Sequence, residues 1–546
     1  MKKVYYNANV ITMEKDAMHA QAFVVEDGHF TAVGSNEEIL GSVGAVEAED
    51  MKGKTILPAF FETHMHNLSE GLILRDMNHN ECTSIAGLIE YSRNFLATHD
   101  IPEGRWVRGR GWNQDNFSDE KRFITRDDLD KISTTVPLAF TRTCGHVIVC
   151  NTAALNIMGM SEHADDVEGG VIDRDETGRP LGIFRENARA CVLNAIPEET
   201  LEGVKELILL SQEKALKCGI VEIHSDDFKD VPGNYKKVMQ AYDELIKEGK
   251  MKIRVYEQCN LPVREWQADF FANGYGTGWQ NTEKYTLGPY KVLIDGALGA
   301  RTALMRDPYK DGDGKNCGVA MLTQDELDFL VDNAYKHNCQ IAIHAIGDKG
   351  MDMVMEAIEK ARKNNPGCGK GRDGIIHCQI MNPDQYEKMK DMGLIGYIQP
   401  IFLNYDYKIL VDRVGEEKAA TSYGWKTMFD MGIPVCGGSD CPVEDMNILQ
   451  NIHCAVTRKG NDLNPPGGWQ PEQDLTVEQA VSLFTTQAAY AAWREDWAGS
   501  IKAGKSADFV VIDKDIFAIE PDDILKTNVE RTYVKGTCEY CAESER

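Results

Sequence analysis

The 546-residue sequence has no long uninterrupted apolar segment. Its first residues, MKKVYYNANVITMEKD, begin with two lysines, but Asn7 and Asn9 soon interrupt the apolar stretch. A signal peptide needs an unbroken apolar region of roughly 7–15 residues, and a membrane-spanning helix needs about 20. The sequence therefore predicts a cytoplasmic protein that does not act at a membrane.

Positive charge is also scarce. Lys and Arg number 59 against 86 Asp and Glu, which gives a formal net charge of −27. Binding to a nucleic-acid backbone depends on clustered Lys and Arg. This balance argues against a nucleic-acid partner, and we expect a small-molecule substrate instead.

Cysteine pairs of the kind that hold structural zinc are missing as well. The 15 cysteines are scattered, and the C-x-x-C pair formed by Cys538 and Cys541 lies near the C-terminus without further ligands at a matching spacing. Free thiols in a reducing compartment are the simpler interpretation. No internal repeat of solenoid period is evident.

Most of the chain alternates apolar strands with helices. Short buried strands that alternate with helices indicate parallel βα units, and eight such units predict a closed (β/α)8 barrel. The eight candidate strands lie in ILPAFFETHMH, GIVEIHSDD, KIRVYEQC, YKVLIDGALG, CQIAIHAIGD, DGIIHCQI, LIGYIQP and IPVCGGSD.

Both ends of the chain are rich in short strands. We expect residues 1–57 and 499–546 to pair into one small β-sandwich domain. Residues 58–105 begin the barrel, and residues 190–498 complete it. Residues 106–189 contain two glycine-rich turns and an extra strand, and we interpret them as an insertion after the first barrel strand.

Five metal-binding side chains stand at the C-terminal ends of predicted strands. His64 and His66 are two residues apart in a strand, so both project to the same face. Such a pair alone is more often incidental than functional. Here His344, His377 and Asp440 end the fifth, sixth and eighth strands, at the end of the barrel where active sites are built. Together the five residues predict a divalent-metal site.

This order resembles the amidohydrolase superfamily, which has H-x-H on the first barrel strand, a bridging lysine on the fourth, histidines on the fifth and sixth, and an aspartate on the eighth. The resemblance narrows to the YtcJ-like branch, amidohydrolase family 3, and covers essentially the whole chain. One departure is the first strand, where Ala59 and Glu62 replace the usual Gly and Asp. The segments that carry the resemblance are KVLIDGALGARTAL, AIHAIGDKGMDMVMEAIE, IIHCQIMNPDQ, IQPIFLNYD, GGSDCPVEDMNIL and GSIKAGKSADFVVID.

The resemblance implies a hydrolase that holds one or two divalent ions. Zinc is the first choice, with manganese, cobalt and iron as alternatives. Lys291, on the fourth strand, corresponds to the bridging lysine, which in the family is often carboxylated. Glu186, in GIFREN, is the alternative bridge, because some superfamily members use a glutamate. The implied ligand set is His64, His66, Lys291, His344, His377 and Asp440.

The resemblance further implies hydrolysis of a C–N bond other than a peptide bond, in an amide-like substrate such as an N-acyl or N-formyl compound. A bound divalent ion lowers the pKa of its water to about 7. Asp440 then serves as general base toward that water and as general acid toward the leaving amine. Barrels of this kind commonly pair, so a homodimer is one candidate for the oligomeric state, which the sequence leaves open.

Further residues are candidates for substrate binding. His146 lies in the insertion, His224 ends the second strand, and Arg301 follows the fourth strand, where it could pair with an acidic substrate group. For each of these a structural role is an open alternative. Aromatic residues on predicted mouth loops could line a pocket: Trp112, Trp279, Phe402, Tyr405 and Tyr407.

Three other hypotheses remain open at the level of sequence. The protein could be a heterocycle deaminase with a single metal ion, since deaminases of this superfamily generally lack the bridging lysine. It could be an inert member of the family that acts by binding. The histidines could also be dispersed in an unrelated α/β protein. Metal stoichiometry separates the first and last of these from the two-ion hydrolase.

Overall fold

The computed structural model describes residues 2–44, 46–144, 146–229, 235–312 and 314–542. The chain divides into two compact units. The first comprises Met1–Ser69 and Ile208–Arg546, and the second comprises Glu70–Leu207. Within the described ranges, no helix has the length and apolarity needed to cross a bilayer.

Eight parallel strands of the first unit form the sheet that carries the predicted site. Each of these eight strands lies beside the next one in chain order, and every such pair is parallel. The prediction of a (β/α)8 barrel is confirmed. In chain order, β1 to β8 are Phe60–Met65, Ile220–Ser225, Arg254–Asn260, Tyr285–Leu293, Ile341–Ala345, Gly374–His377, Ile395–Ile398 and Val435–Gly437.

The eighth strand approaches the first through backbone hydrogen bonds just beyond its end. Asp440 N donates to His64 O at 2.8 Å, and His66 N donates to Cys441 O at 2.7 Å. Gly438 permits this approach, because a Cβ there would lie 2.5 Å from Glu62 Oε1 and 2.7 Å from His64 N. Closure of the barrel thus brings Asp440 next to the histidines of β1.

Helices follow most of the barrel strands. The helix Asp348–Asn364 buries Met351, Val354 and Ile358, the spacing expected of an apolar helix face. The helix Gln324–Lys336 begins at a capping box between Thr323 and Glu326. Further helices that lie wholly or partly in this unit include Asn67–Arg75, Leu201–Lys217, Tyr235–Lys247, Arg264–Ala272, Pro383–Met392 and Ile448–Thr457. Shorter ones include Leu403–Asp406, Trp425–Met431, Val477–Leu483 and Thr486–Ala491.

The chain ends form two further sheets, one of N-terminal strands alone and one that combines strands from both ends. The core between these sheets is aromatic: the Phe509 ring lies 5.2 Å from Tyr5 and 4.1 Å from Tyr533. In strand order, one sheet contains His29–Gly34, Ala22–Glu26, Lys2–Tyr6 and Glu47–Asp50, and the other contains Thr537–Cys541, Val529–Val534, Phe509–Ile512, Thr55–Pro58, Asn9–Ile11 and His19–Ala20.

The second unit has its own mixed sheet and hydrophobic core. It contains the whole of residues 106–189 and also the segment before them, because Met77–Asn78 pairs with β-strand Val107–Trp112. The sheet order is Gly170–Arg174, Pro180–Glu186, Val147–Cys150, Leu138–Arg142, Val107–Trp112 and Met77–Asn78, with the helices Ile85–Thr98, Arg126–Asp130, Thr152–Ile157 and Arg189–Ala195.

Candidate metal centre

Five predicted ligands meet at the C-terminal end of the barrel. One ligand atom from each of His64, His377 and Asp440 lies within 4.8 Å of the others. His66 and His344 flank this group. His66 Nε2 is 3.1 Å from Asp440 Oδ1, and His344 Nδ1 is 2.8 Å from His377 Nε2.

Two buried glutamines orient the central histidines. Gln258 Oε1 lies 2.6 Å from His64 Nδ1, and Gln399 Oε1 lies 2.8 Å from His377 Nδ1. A side-chain carbonyl oxygen only accepts, so each Nδ1 carries the proton and each Nε2 keeps its lone pair. Partners of this kind fix the tautomer and the ring plane of metal-ligating histidines.

The flanking histidines are held in a similar way. His344 Nε2 lies 3.1 Å from Gly296 O, and His66 Nδ1 lies 3.3 Å from Asp226 O. Carbonyl oxygens again accept the hydrogen bonds, so the proton of His344 is on Nε2, and its unprotonated Nδ1 faces His377 Nε2. Two lone pairs 2.8 Å apart repel each other unless a cation is shared between them.

The Asp440 carboxylate is the clearest indication of a metal. Its Oδ1 is buried and has no hydrogen-bond partner among the residues that the structure describes, although it lies 3.3 Å from His64 Nε2 and 3.1 Å from His66 Nε2. A buried charge without a partner is strongly unfavourable. Nitrogen lone pairs around a carboxylate oxygen form the donor set that a divalent ion such as zinc prefers. The residues therefore fit a divalent ion.

Burial and mutual charge shift the pKa values of these groups. Burial lowers the pKa of His64 to about 4 and that of His377 well below its ordinary value. Burial alone would raise the pKa of Asp440, but the surrounding histidines hold it well below its usual range. Burial also opposes the charged form of His66, but Asp440 outweighs this and raises its pKa.

Lys291 projects from β4 toward the same centre. Its side chain is buried, and Nζ lies 3.4 Å from His64 Nε2. Burial lowers the pKa of Lys291 to about 7. No carboxylate in the described part of the chain forms an ion pair with this amine. Lys291 also lines a cavity of about 470 Å³ whose wall includes Asn260, Leu261 and Leu293.

Glu62 appeared in the sequence only as a departure from the family's first strand. Its carboxylate accepts hydrogen bonds from His64 N at 2.9 Å and from Ser439 N at 2.9 and 3.0 Å. It thereby connects β1 with the turn that carries Asp440. Burial raises the pKa of Glu62 to about 8.

Asp226 is a second residue at the centre that the sequence did not reveal. It follows β2 and is fully buried, and its Oδ2 contacts Asn260 Nδ2 at 3.1 Å and Lys229 Nζ at 3.2 Å. Its backbone oxygen faces His66. The acidic pair that ends GIVEIHSDD was the available signal for it, as it follows a strand end in the same way as the ligands.

Two proposed substrate-binding residues of the barrel have structural partners. The His224 ring is buried, lies 5.2 Å from the Tyr256 ring and has its Nε2 3.9 Å from Glu222 Oε1. Within the described ranges neither ring nitrogen has a hydrogen-bond partner. Arg301 forms a two-point ion pair with Asp311, at 3.0 and 2.8 Å. Their roles in substrate binding stay predictions.

The expected loop position of Trp112 is wrong. Trp112 ends the strand Val107–Trp112, its side chain has 0% exposure, and its indole N–H donates to Phe140 O at 3.1 Å. It packs in the core of the second unit and presents no surface to a substrate. Phe402, in contrast, lies at the metal centre, where its ring stacks on His377 at 5.9 Å.

His146 and Glu186 both belong to the second unit. They stand at neighbouring ends of two antiparallel strands, and His146 Nδ1 lies 2.8 Å from Glu186 Oε2. Both side chains are more than half exposed. The roles predicted for them, substrate binding for His146 and metal bridging for Glu186, stay predictions.

An eight-stranded parallel barrel with a candidate site of histidines and an aspartate at the C-terminal ends of its strands is the arrangement expected of a metal-dependent hydrolase. A sequence model described as "Amidohydrolase family" matches residues 47–540. The chain belongs to the amidohydrolase family, as its sequence motifs predicted.

Individual relatives agree with this assignment. The chain is 30% identical to the putative amidohydrolase YtcJ of Bacillus subtilis, with 99% of each chain covered. It is 26% identical to the N-substituted formamide deformylase of Arthrobacter pascens, over 98% of this chain and 97% of that protein. Among solved structures, an uncharacterized metal-dependent hydrolase from Pyrococcus horikoshii aligns with a TM-score of 0.77 and 25% identity, over 95% of this chain and 99% of that one.

Proposed function

We propose that this amidohydrolase cleaves a C–N bond in an amide-like small molecule, such as an N-formyl or N-acyl amine. Water adds to the carbonyl carbon, the C–N bond breaks, and a carboxylic acid and an amine are released. The observation that carries the proposal is Asp440 Oδ1, a buried and unpartnered acceptor that faces His64 Nε2 and His66 Nε2. The similarity to an N-substituted formamide deformylase supports this bond type.

His64, His66, His344, His377 and Asp440 would hold the metal ion, and zinc suits this set of imidazole and carboxylate ligands. When bound, such an ion polarises a carbonyl group and lowers the pKa of a coordinated water to about 7. Gln258 and Gln399 keep the Nε2 atoms of His64 and His377 directed at the centre. Phe402 covers one face of His377.

Asp440 performs the proton transfers in this proposal. Its low pKa keeps the carboxylate ionised, so Oδ1 can accept a proton from the attacking water. The same oxygen then returns that proton to the nitrogen of the leaving amine. The hydrogen bond from Asp440 N to His64 O holds Asp440 where the eighth strand meets the first during both proton transfers.

Lys291 is proposed as the bridge for a second ion after carboxylation. A buried ammonium without a carboxylate partner is costly. Reaction of the neutral amine with carbon dioxide forms an N–C bond and releases one proton, and it turns this group into an anionic carbamate. Its Nζ already lies 3.4 Å from His64 Nε2. Glu186 is the alternative bridge.

The test is a substrate panel with zinc-, manganese- or cobalt-loaded protein. N-formyl amines, N-acyl amines, lactams and dipeptides are incubated, and the amine and the acid are both quantified. Equimolar release of the two products supports the proposal. Release of ammonia from a heterocycle, with no cleavage of any amide, would establish the deaminase alternative instead.

A further inference from the structure

Beyond the metal ligands, one side of the barrel mouth carries a buried amide oxygen without a donor among the described residues, next to two carboxylates without a cationic partner there. Gln379 follows His377 by two residues, and its side chain is only 3% exposed. Its Nε2 donates to Asp406 Oδ2 at 3.3 Å, while its Oε1 is buried and has no hydrogen-bond partner in the described part of the chain. An unpaired buried carbonyl costs free energy, so this oxygen is expected to meet a donor in the functional complex.

Asp406 stands beside this amide. Its Oδ2 also accepts a hydrogen bond from the Tyr423 hydroxyl at 2.6 Å, so the hydrogen bonds from Gln379 and Tyr423 go to the same oxygen. Among the described residues, no Lys, Arg or His forms an ion pair with Asp406. Burial raises the pKa of Asp406 to about 6, as expected for a carboxylate without a cation nearby.

Glu444 is the second carboxylate of this region. Burial, opposed by a hydrogen bond to Asn404, raises its pKa to about 7, and repulsion from Asp406 adds to the effect. Glu444 has no ion-pair partner among the described residues either. Lysines on this side of the barrel are engaged elsewhere: Lys408 with Asp462, Lys459 with Asp522 and Lys214 with Asp445.

These acceptors adjoin the metal centre. Gln379 and His377 belong to the same strand end, and Phe402, which begins the helical segment leading to Asp406, stacks on the His377 ring at 5.9 Å. Tyr423 N also donates to Gln379 O at 2.9 Å, which holds Tyr423 and Asp406 against this strand end. A group bound here would belong to a molecule that also reaches the metal ligands.

We infer that Gln379, Asp406 and Glu444 form a subsite for an ammonium group, and that the substrate is an amide with an amine remote from the scissile bond. An ammonium group has three donors and no acceptor, which matches a carbonyl oxygen and two carboxylates. Hydrogen bonds between ions are stronger than neutral ones. This inference rests on the proposed amide hydrolysis for its substrate class, but the subsite itself is defined by its acceptors.

The subsite is tested by binding of a probe that cannot be hydrolysed. Zinc-loaded protein is titrated with n-pentylammonium chloride and, separately, with 1-pentanol, and both are followed by ligand-observed NMR. We expect saturable binding of the ammonium ion, weakened about tenfold or more in Asp406→Asn and in Gln379→Met. Binding of 1-pentanol should not change in either variant.

Asp462→Asn is the matched control, because it removes the same charge from an exposed ion pair on this side of the barrel. It should bind n-pentylammonium as the wild type does. Equal affinity in the wild type and Asp406→Asn, or no saturable ammonium binding in the wild type, would overturn the inference.

Hydrolysis then separates the subsite from the reaction. The substrates are N-acetyl-1,5-diaminopentane and N-pentylacetamide, which differ in the terminal ammonium. Asp406→Asn should lower the ratio of kcat/KM for the charged amide to kcat/KM for the neutral amide about tenfold or more, whereas Asp462→Asn should keep the wild-type ratio. If neither amide is cleaved, the proposed reaction falls for these substrates, while the n-pentylammonium titration still decides the subsite.

Discussion

The side-chain oxygen of Gln258 lies 2.6 Å from Nδ1 of His64, and this contact determines which nitrogen of His64 faces the metal centre. Gln258 lies on β3, and its Nε2 also donates to Thr63 O at 3.0 Å, so the amide is fixed at both ends. Gln399 stands in the same relation to His377.

Replacing Gln258 tests this orienting role. Gln258→Leu removes the acceptor and leaves Nδ1–H of His64 without a partner, so we expect metal affinity to fall about 10- to 100-fold. Competition with a chromophoric chelator measures the change. Gln258→Glu keeps an oxygen acceptor and should retain most of the affinity. Equal metal affinity in Gln258→Leu and the wild type would show that the contact does not support the ligand.

Asp440→Asn tests the base and ligand. The amide neither accepts a proton at neutral pH nor binds a divalent ion as a carboxylate does, so hydrolysis should fall about 100- to 10,000-fold and metal affinity should also drop. Circular dichroism should stay unchanged, because the backbone bond from residue 440 to His64 O remains. Asp445→Asn, a change in an exposed ion pair with Lys214, is the control and should keep full activity. Full activity in Asp440→Asn would exclude the proposed base.

Lys291→Ala and Glu186→Gln distinguish the two candidate bridges. If carboxylated Lys291 bridges two ions, Lys291→Ala should reduce the bound metal from about two ions to one, and acetate or propionate should restore part of the activity by supplying a carboxylate. Glu186→Gln should then keep both ions. The reverse pattern, with metal lost only in Glu186→Gln, would assign the bridge to Glu186. Plasma mass spectrometry of the purified variants gives the stoichiometry.

Because His79 is buried in the second unit, we expect the free energy of unfolding to decrease in acid. Burial lowers its pKa to about 3, whereas an unfolded histidine titrates near 6.5. Above pH 6.5 the ring is neutral in both states. As the pH falls below 6.5, only the unfolded chain takes up the proton, so the free energy of unfolding decreases by about 1.4 kcal/mol per pH unit.

Urea unfolding at pH 7 and pH 5 measures this effect. Between these values the wild type should lose about 2 kcal/mol more than His79→Gln, which cannot titrate. The other histidines are common to both proteins, so their contributions cancel. An identical pH dependence in the two proteins would mean that His79 is not held neutral in the fold.

The barrel and its ligand positions were predictable because each of several strands is a short apolar run with a functional residue at its C-terminal end. His344 and His377 illustrate this pattern. The supporting contacts were not predictable. Gln258 accepts a hydrogen bond from His64, 194 residues away in the sequence. Glu62 accepts hydrogen bonds from the backbone of Ser439, 377 residues away, where the eighth strand meets the first. Such contacts follow from barrel closure and leave no local pattern.

Trp112 shows where local interpretation failed. The glycines around it, in RGRGW, suggested a turn. In the structure these glycines lie within the strand Val107–Trp112, and neighbouring side chains pack directly on their backbone. A Cβ on Gly109 would lie 2.4 Å from His79 Cε1, and one on Gly111 would lie 2.1 Å from Asn80 Oδ1. Close packing favours glycine at both positions, and Gly111 in addition has a positive φ of 97°.

Metal analysis of the purified protein is the most direct test of whether a bound divalent ion is required for amide hydrolysis. We expect one or two tightly bound divalent ions per chain. Their removal by a chelator should abolish amide hydrolysis, and the return of zinc, manganese or cobalt should restore it. The same analysis of Asp440→Asn should show reduced metal content. A wild-type chain that binds no divalent ion, or that hydrolyses its substrate equally well without one, would contradict the account.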